Sequence, residues 1–283
     1  MVNILILGST GMLGSSVYYE LSKNKNYSCS ITHRNEEVKL NKESIFFDAL
    51  KTNEKAIVKL LSGYDYVVNC IGVIKPFMHT DIKSSIEINS LLPHMLAKAA
   101  NSVGAKLLHI TTDCVFSGAD GGYHENSIHD CLDEYGKSKS LGEPTNDAMV
   151  IRTSIIGNEI HKNASLIAWV LSMNGEKING FTNHTWNGIT TNTFGKVCSQ
   201  IIDRKLYEQG LFHVFSPDSL TKYELLKSIC LNYNLNIDIV PHATEQKIDR
   251  TLSTQKMLAS KLEIDTIDNQ IRYISQIYNK GEN

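Results

Sequence analysis

Short apolar runs alternate with amphipathic stretches through the first half of this 283-residue chain, and that rhythm limits its fold more than any other feature. Runs typical of β-strands occupy residues 3–7, 28–32, 44–47, 66–70, 106–111 and 148–152. Helical patterns lie between them, at residues 11–22, 53–61 and 86–102. Strands separated by helices form right-handed βαβ units. The alternation therefore predicts an α/β fold with a doubly wound parallel sheet.

The second half of the chain has a looser pattern. Segments 157–163 and 175–188 are rich in Gly, Asn and His, which predicts loops. The remaining helices and strands are predicted to be short, at residues 193–202, 210–215, 222–232 and 237–240. We expect a first domain over residues 1–153 and a smaller C-terminal α/β region over 154–283. Within the latter, residues about 188–212 are expected to return to the first domain.

Charge and cysteine content exclude several classes of function. The chain carries 28 Lys and Arg against 30 Asp and Glu, a net charge of −2, with no long basic run. We therefore expect no nucleic-acid or membrane binding. Its six cysteines are scattered without a Cys-x-x-Cys pair, which indicates reduced thiols rather than disulfides or a metal site. Without a signal-like or membrane-length apolar stretch, the sequence predicts a cytoplasmic protein.

A glycine-rich turn follows the first predicted strand and opens the first helix. Glycines permit a tight turn and the close approach of a pyrophosphate, which a helix N-terminus attracts. The spacing is Gly-x-x-Gly-x-x-Gly, not the Gly-x-Gly-x-x-Gly of many dinucleotide sites. The turn predicts a nucleotide-cofactor site, with a simple chain reversal as the alternative. Its predicted cofactor contacts are Gly8, Thr10, Gly11, Met12, Leu13 and Gly14.

The end of the second strand indicates which cofactor this site takes. An acid there favours NAD, whereas an arginine accommodates the 2′-phosphate of NADP. Here the strand is followed by His33 and Arg34, with no acid before Glu36. The sequence therefore predicts that NADP(H) is preferred and that NAD(H) is a weaker cofactor. A solvated surface arginine is the alternative interpretation of Arg34.

Two later strand ends complete the predicted cofactor site. Asp48 follows the third strand and is expected to reach the adenine, with a solvated loop aspartate as the alternative. The fourth strand ends where a small residue would let the cofactor lie against the backbone, at Cys70, Ile71 and Gly72. A plain turn is the alternative interpretation of that strand end.

A Tyr-x-x-x-Lys spacing occurs three times, and its context separates the three occurrences. Residues four apart on a helix share one face, where a lysine ammonium makes a phenol a better acid. The pairs are Tyr19 with Lys23, Tyr135 with Lys139, and Tyr223 with Lys227. Only the middle pair follows a strand end with hydroxyl side chains, at the edge of the sheet where ligands bind. The predicted catalytic residues are Thr112, Tyr135 and Lys139, and the last two are also expected to contact the cofactor beside Thr111.

Together these motifs resemble the dTDP-4-dehydrorhamnose reductase family of the extended short-chain dehydrogenase/reductase superfamily, over nearly the whole chain. Residues 111–118 read Thr-Thr-Asp-Cys-Val-Phe-Ser-Gly, similar to the family's Ser-Thr-Asp-Tyr-Val-Phe-x-Gly. Residues 135–143 match its Tyr-Gly-x-Ser/Thr-Lys-x-x-Gly-Glu. Further segments that look like the family's lie at residues 152–154, 210–213, 219–226 and 249–253.

The resemblance implies a Rossmann-type domain and NADPH-dependent reduction of a nucleotide-linked 4-keto-6-deoxyhexose, in deoxysugar biosynthesis for surface polysaccharide. It implies that Thr112 orients the keto group and that Tyr135 donates the proton. Lys139 would bind the nicotinamide ribose and lower the tyrosine pKa, and Asn89 would support its helix and a proton path. The expected substrate contacts are Val115, Phe116, Trp186 and Arg250. A homodimer is a further expectation.

Departures from the family pattern leave the substrate open. Met12 stands in place of a glutamine, Arg34 in place of an acid, and no proline follows Arg250. Segments 75–79 and 183–191 also differ, so a 2-acetamido sugar on UDP is a second candidate substrate. Two other functions stay as alternatives. One is a non-catalytic NADP-binding regulatory subunit, and the other is an epimerase or dehydratase of the same superfamily.

Overall fold

A computed structural model describes residues 1–34, 44–159 and 164–281. In the first half, strands alternate with helices along the chain. Strands β1 to β6 cover Val2–Leu7, Tyr27–His33, Ser44–Phe46, Tyr66–Asn69, Lys106–Thr112 and Met149–Thr153. Helices α1 to α5 cover Met12–Leu21, Glu54–Leu61, Ile82–Ile86, Leu92–Val103 and Glu134–Leu141.

The second half contains shorter strands and four more helices among the described residues. Strands β7 to β14 cover Ile155–Ile156, Lys177–Phe181, His184–Trp186, Ile189–Thr190, Gly210–His213, Leu220–Thr221, Asp238–His242 and Ile248–Asp249. Helices α6 to α9 cover Leu166–Ser172, Thr191–Asp203, Lys222–Tyr233 and Ile267–Asn279.

The central sheet is parallel throughout and has the strand order β11-β6-β5-β4-β1-β2-β3. Its apolar side chains point alternately to two helical layers. Ile4 and Ile6 pack in the cluster that includes residues of α1 and α7, and Leu5 and Leu7 pack in the cluster that includes α2 and α4. Both faces of the sheet are therefore covered, which confirms the predicted doubly wound α/β fold.

The C-terminal region has a core of its own, yet the chain also returns from it to the sheet. Ile167, Leu225 and Ile271 are fully buried or nearly so in this second core. Helix α7 packs along α1, and β11 extends the sheet by pairing with β6. The segment between these two contacts thus belongs spatially to the first domain. The division at residue 153 stays a prediction.

Two secondary-structure predictions are wrong. The predicted loop 175–188 contains β8 and β9, which pair with β13, β12 and β14 far along the chain. Strands this short have too few residues to show a two-residue period, so only their distant partners define them. The predicted helix 86–102 begins earlier, at Ile82, and contains a widened π turn at Glu87–Leu91. Of the predicted loop 157–163, residues 160–163 lie outside the described residues.

Pro93 explains the π turn. Proline has no N–H to donate, and in a regular helix its ring clashes with the carbonyl of the residue four positions earlier, here Asn89. Widening the turn over Glu87–Leu91 moves that carbonyl out of the helical ladder. A Cβ placed on Gly142, just after α5, would lie only 1.9 Å from the Asn89 oxygen. The π turn therefore sets how closely α5 approaches α4.

No helix in the described part of the chain is long and apolar enough to span a lipid bilayer.

We expect Gly142→Ala to destabilise the fold, because the added methyl group would overlap the Asn89 carbonyl. Forced overpacking of this kind costs about 1–3 kcal/mol. Urea unfolding at equilibrium measures the change. Leu141→Ala is the matched control, since Leu141 is adjacent and 69% exposed and should change stability by less than about 0.5 kcal/mol. Equal stability of the two variants would contradict the proposed close contact.

Candidate functional site

The glycine turn between β1 and α1 has a backbone conformation and close contacts that exclude larger residues at Gly8 and Gly14. Gly8 has a φ of +78°, and its oxygen accepts a hydrogen bond from the Gly11 N–H at 3.1 Å. A Cβ on Gly14 would lie 2.2 Å from that same oxygen. The Gly8 N–H donates to Thr32 Oγ1 at 3.0 Å, which ties the turn to β2. Among the other predicted cofactor contacts, Thr10 is exposed, Met12 half-buried and Leu13 buried in the core.

At the end of β2 the structure separates the predicted cofactor residues. His33 is buried, and its Nδ1 has no hydrogen-bond partner among the described residues. Arg34 is exposed, and the residues that follow it, 35–43, lie outside the described ranges. Asp48 Oδ1 accepts the Leu50 N–H at 3.0 Å, so this carboxylate stabilises its own turn. The adenine contact of Asp48 stays a prediction.

The turn after β4 lies against the predicted catalytic lysine. Asn69 Oδ1 accepts the Ile71 N–H at 3.1 Å and holds the start of this turn. A Cβ on Gly72 would lie 3.9 Å from Lys139 Nζ, so the backbone there passes directly beside the ammonium. Cys70 is partly buried, and burial raises the pKa of its thiol. The structure thus brings the predicted cofactor turn and Lys139 together.

Asn89 fastens the same turn to the catalytic helix. Its Oδ1 accepts the Val73 N–H at 2.9 Å, and its Nδ2 donates to the Val73 carbonyl at 2.9 Å. The same Nδ2 donates to Ser138 Oγ at 3.1 Å. Because Ser138 precedes Lys139 on α5, the π turn of Asn89 joins the β4 turn and α5 into one unit. Polar residues on π turns are often found at functional sites.

Lys139 is buried on α5 and anchored to the sheet. Asp133 caps the helix by accepting the Gly136 N–H at 2.9 Å. One turn later, Lys139 Nζ donates to the Ile110 carbonyl at 3.1 Å. Burial lowers the pKa of Lys139 to about 8, and the negative charge of Glu143 opposes that shift. The lysine therefore still carries most of its charge at neutral pH.

Tyr135 is half-buried on α5, next to the end of β5. Burial raises the pKa of its phenol above the ordinary value, and interactions with Cys114, Asp113 and Asp133 add to the rise. The Thr112 hydroxyl, at that strand end, opposes the rise in part. This direction is opposite to the lowering predicted from Lys139, whose ammonium is committed to the Ile110 carbonyl. At neutral pH the phenol keeps its proton.

The predicted substrate contacts are not all at the surface of the cleft. Val115 and Phe116 have no exposed surface, and their contact with substrate stays a prediction. They pack in a small apolar cluster, where the Phe116 ring stacks on Tyr123 at 4.2 Å. Trp186 is 4% exposed and belongs to the second core. Arg250 Nε donates to the Phe116 carbonyl at 3.0 Å, which places that arginine beside the strand end.

A buried charged network behind α5 was not predicted from the sequence, although three of its four members lie in quoted segments. Arg152 is fully buried and forms a two-bond pair with Glu143, at 3.2 and 2.7 Å. Its Nη1 donates to His213 Nε2 at 2.9 Å, and Nη2, which also bonds Glu143, donates to His129 Nε2 at 2.6 Å. Both histidines must be neutral to accept these bonds, and burial together with Arg152 lowers the pKa of each.

The segment 75–79, which departs from the reductase pattern, is fastened to the start of α5. Lys75 Nζ pairs with Asp133 Oδ2 at 3.0 Å, and His79 Nδ1 lies 3.2 Å from Glu134 Oε2. These two acids directly precede Tyr135 in sequence. The unusual segment therefore borders the predicted catalytic tyrosine.

Within residues 1–34, 44–159 and 164–281, no group of three or more His, Cys, Asp or Glu side chains is arranged to hold a metal ion. All six cysteines are free thiols.

Comparison with known proteins establishes the family. A family model described as the RmlD substrate binding domain matches residues 2–277. The chain belongs to this family. Its membership confirms the resemblance to dTDP-4-dehydrorhamnose reductases drawn from the motifs.

Proteins similar to this chain carry names that describe different functions. Methionine adenosyltransferase 2 subunit beta of Xenopus laevis is 27% identical, over 87% of this chain and 77% of its own length. The probable low-salt glycan biosynthesis reductase Agl14 of Haloferax volcanii is 24% identical, over 94% and 91%. The structure of Bacillus anthracis dTDP-4-dehydrorhamnose reductase in complex with NADP superimposes with a TM-score of 0.77, at 21% identity over 97% and 98% of the two chains. This last likeness shows a shared fold.

We expect Arg34→Ala to weaken NADPH binding about tenfold and to leave NADH binding unchanged, since a charge-assisted contact to a 2′-phosphate contributes about 1.5–3 kcal/mol. Fluorescence titration with each cofactor measures both affinities. Arg272→Ala is the control, because Arg272 lies in an exposed ion pair on α9. Equal affinities of the wild-type protein for NADPH and NADH would contradict the role given to Arg34.

The Arg152 network predicts a loss of stability in acid. Burial and Arg152 lower the pKa of His213 to about 4. The unfolded chain, with an ordinary histidine pKa of about 6.5, then binds more protons between these two values, so stability falls as the pH drops through that window. The loss by about pH 5 should be about 2 kcal/mol in urea unfolding. His213→Gln should flatten this slope, whereas His242→Gln, at an exposed position, should not. A slope that survives His213→Gln would show that another group causes it.

Proposed function

We propose that this protein is an NADPH-dependent reductase of a nucleotide-linked keto sugar. The observation that carries the proposal is the packing of α5 against the carboxyl end of β5, which brings Tyr135 and Lys139 to the strand end that carries Thr112. In doubly wound sheets ligands bind at this edge. Family membership supports the same reaction class.

The residues around the glycine turn fit a dinucleotide cofactor. Gly8 and Gly14 let the turn pack tightly at the N-terminus of α1, because a Cβ on Gly8 would clash with Ile71 and one on Gly14 with the Gly8 carbonyl. The buried Nδ1 of His33 and Oγ1 of Thr111 have no partner among the described residues, so each offers a polar contact to a ligand. We assign the cofactor as NADP(H), with NAD(H) weaker, on the basis of Arg34. When bound, NADPH supplies the hydride.

The proton chemistry of Tyr135 suits reduction. A carbonyl that accepts hydride becomes an alkoxide, which needs a proton donor within hydrogen-bond reach. Since burial raises the pKa of Tyr135, the phenol holds a proton at neutral pH and can donate it to that oxygen. Thr112 hydrogen-bonds the same oxygen and fixes its position. Lys139 supplies a positive charge that stabilises the tyrosinate left after transfer.

The substrate we propose is a 4-keto-6-deoxyhexose on a nucleoside diphosphate, with a UDP-linked 2-acetamido sugar as the second candidate. The bordering segment 75–79 departs from the reductase pattern and contacts the residues just before Tyr135, which is why both substrates need testing. A role in deoxysugar synthesis for surface polysaccharide, in the cytoplasm and as a homodimer, completes the proposal. Reduction of a panel of nucleotide 4-keto-6-deoxysugars with NADPH, followed as loss of absorbance, tests it.

A second candidate function is a regulatory subunit that binds NADP without turnover. The similarity to subunit beta of a methionine adenosyltransferase favours it. Tight NADPH binding, no reduction of any sugar nucleotide and a stable protein partner together would establish it. Epimerase or dehydratase activity has less support, because Cys114 follows Asp113 and burial raises the pKa of that thiol to about 12.

Tyr135→Phe should lower kcat for reduction by about 10²–10⁴-fold, because it removes the proton donor and keeps the ring. NADPH affinity should change little. Tyr223→Phe is the matched control, since Tyr223 has the same spacing to Lys227 but lies on α8, and it should retain activity. Tyr135→Phe with full activity would remove the proton-donor role of the phenol.

A further inference from the structure

Lys222 does not stabilise the helix on which it lies. It is the first residue of α8, whose N-terminus is capped by Thr221. A helix N-terminus carries partial positive charge, so a lysine there is electrostatically unfavourable. Lys222 lies in segment 219–226, which resembles the reductase family, and the sequence predicts no role for it.

The Lys222 side chain is half-buried, and its ammonium lies beside an aromatic ring rather than an anion. It sits 5.2 Å from the centre of the Trp186 ring. Among the residues the structure describes, no carboxylate oxygen lies within 4 Å of it and no hydrogen bond to it is formed. Burial lowers its pKa, while Asp113 and Cys114 interact with it electrostatically. A Cβ on Gly188 would lie 2.4 Å from the Trp186 ring and 2.3 Å from the Ser154 carbonyl, so the ring and the ammonium beside it lie at the carboxyl end of β6. Because Thr112 pairs with Thr153, the residue before Ser154, Lys222 lies near the strand end that carries Thr112.

Arg250 adds a second cation to the same place. It interacts electrostatically with both Asp113 and Lys222. Asp113 is the nearest buried acid and is already engaged by the hydroxyls of Thr112 and Ser154.

Two further acids near Arg250 are also satisfied by other groups. Asp130 accepts the N–H and the hydroxyl of Ser117, and Asp133 caps α5 and pairs with Lys75. Two cations therefore share one buried carboxylate, and the N-terminus of α8 adds positive charge.

We propose that Lys222, together with Arg250, binds an anionic group of the substrate, a phosphoryl or carboxylate oxygen, beside the carbonyl that is reduced. Lys222 is then a specificity-determining residue, because it selects substrates that place an anion at that distance from the reacting carbon. The Trp186 ring stabilises the Lys222 ammonium through a cation–π contact. The inference rests on the proposed function in taking the ligand to be a nucleotide sugar.

Calorimetric titration of the full chain with NADP present tests the inference through binding rather than turnover. The probes are UDP, dTDP, UDP-glucose and UDP-glucuronate. Lys222→Met should weaken binding of at least one probe about tenfold or more, and Lys222→Arg should restore part of the loss. Lys227→Met is the matched control, since that lysine is also on α8 with its ammonium 5.3 Å from a ring, that of Tyr223, and should bind all probes normally. If Lys222→Met does not fold, Lys222→Gln replaces it.

The pattern across probes identifies the anion. Equal losses for the diphosphates and both sugars assign the phosphoryl groups, whereas a loss confined to UDP-glucuronate assigns a sugar carboxylate. Unchanged affinities in the Lys222 variants, or a wild-type protein that binds none of the four probes, would overturn the inference. A clear Lys222 effect on binding without any reduction of keto sugars would refute the reductase and leave the anion site standing.

Discussion

The burial of one guanidinium, that of Arg152, determines the surroundings of the candidate site. An arginine stays charged at any accessible pH, so a fully buried one requires partners on all sides. Glu143 follows the catalytic helix, His129 precedes it, and His213 belongs to the strand that returns from the C-terminal region. None of these segments can move away without leaving a buried charge unpaired. The position of α5 is thus coupled to the end of β6 and to the edge strand β11.

On its opposite side, α5 is positioned by close packing rather than by charged interactions. Pro93 forces the π turn, the π turn exposes the Asn89 carbonyl, and Gly142 lets the helix end approach it. The Asn89 side chain then connects Ser138 on that helix to the backbone at Val73. The Arg152 network on one side and the contact between Gly142 and the Asn89 carbonyl on the other leave α5 little freedom to move. That rigidity is what a site needs if proton donor and carbonyl are to meet within hydrogen-bond distance.

The sequence alone predicts what local patterns encode and misses what distant residues create. The strands of the first half were located to within about a residue, because buried parallel strands are continuous apolar runs. The glycine turn and the Tyr135 spacing are likewise local. The partners of Arg152 and the surroundings of Lys222 depend on residues far apart in the chain. The full burial of Phe116 was not predicted either, because a position after a strand end does not reveal whether its side chain turns inward.

The return of the chain to the central sheet has a mechanical consequence. After building part of the C-terminal core, the chain comes back as α7 against α1 and as β11 beside β6, then leaves again for α8. Two domains joined by a single linker can rotate relative to each other, whereas domains connected by several chain crossings resist such rotation. Substrate entry here should therefore involve small shifts of cleft-lining side chains and loops, with the two cores keeping their mutual orientation throughout a reaction cycle.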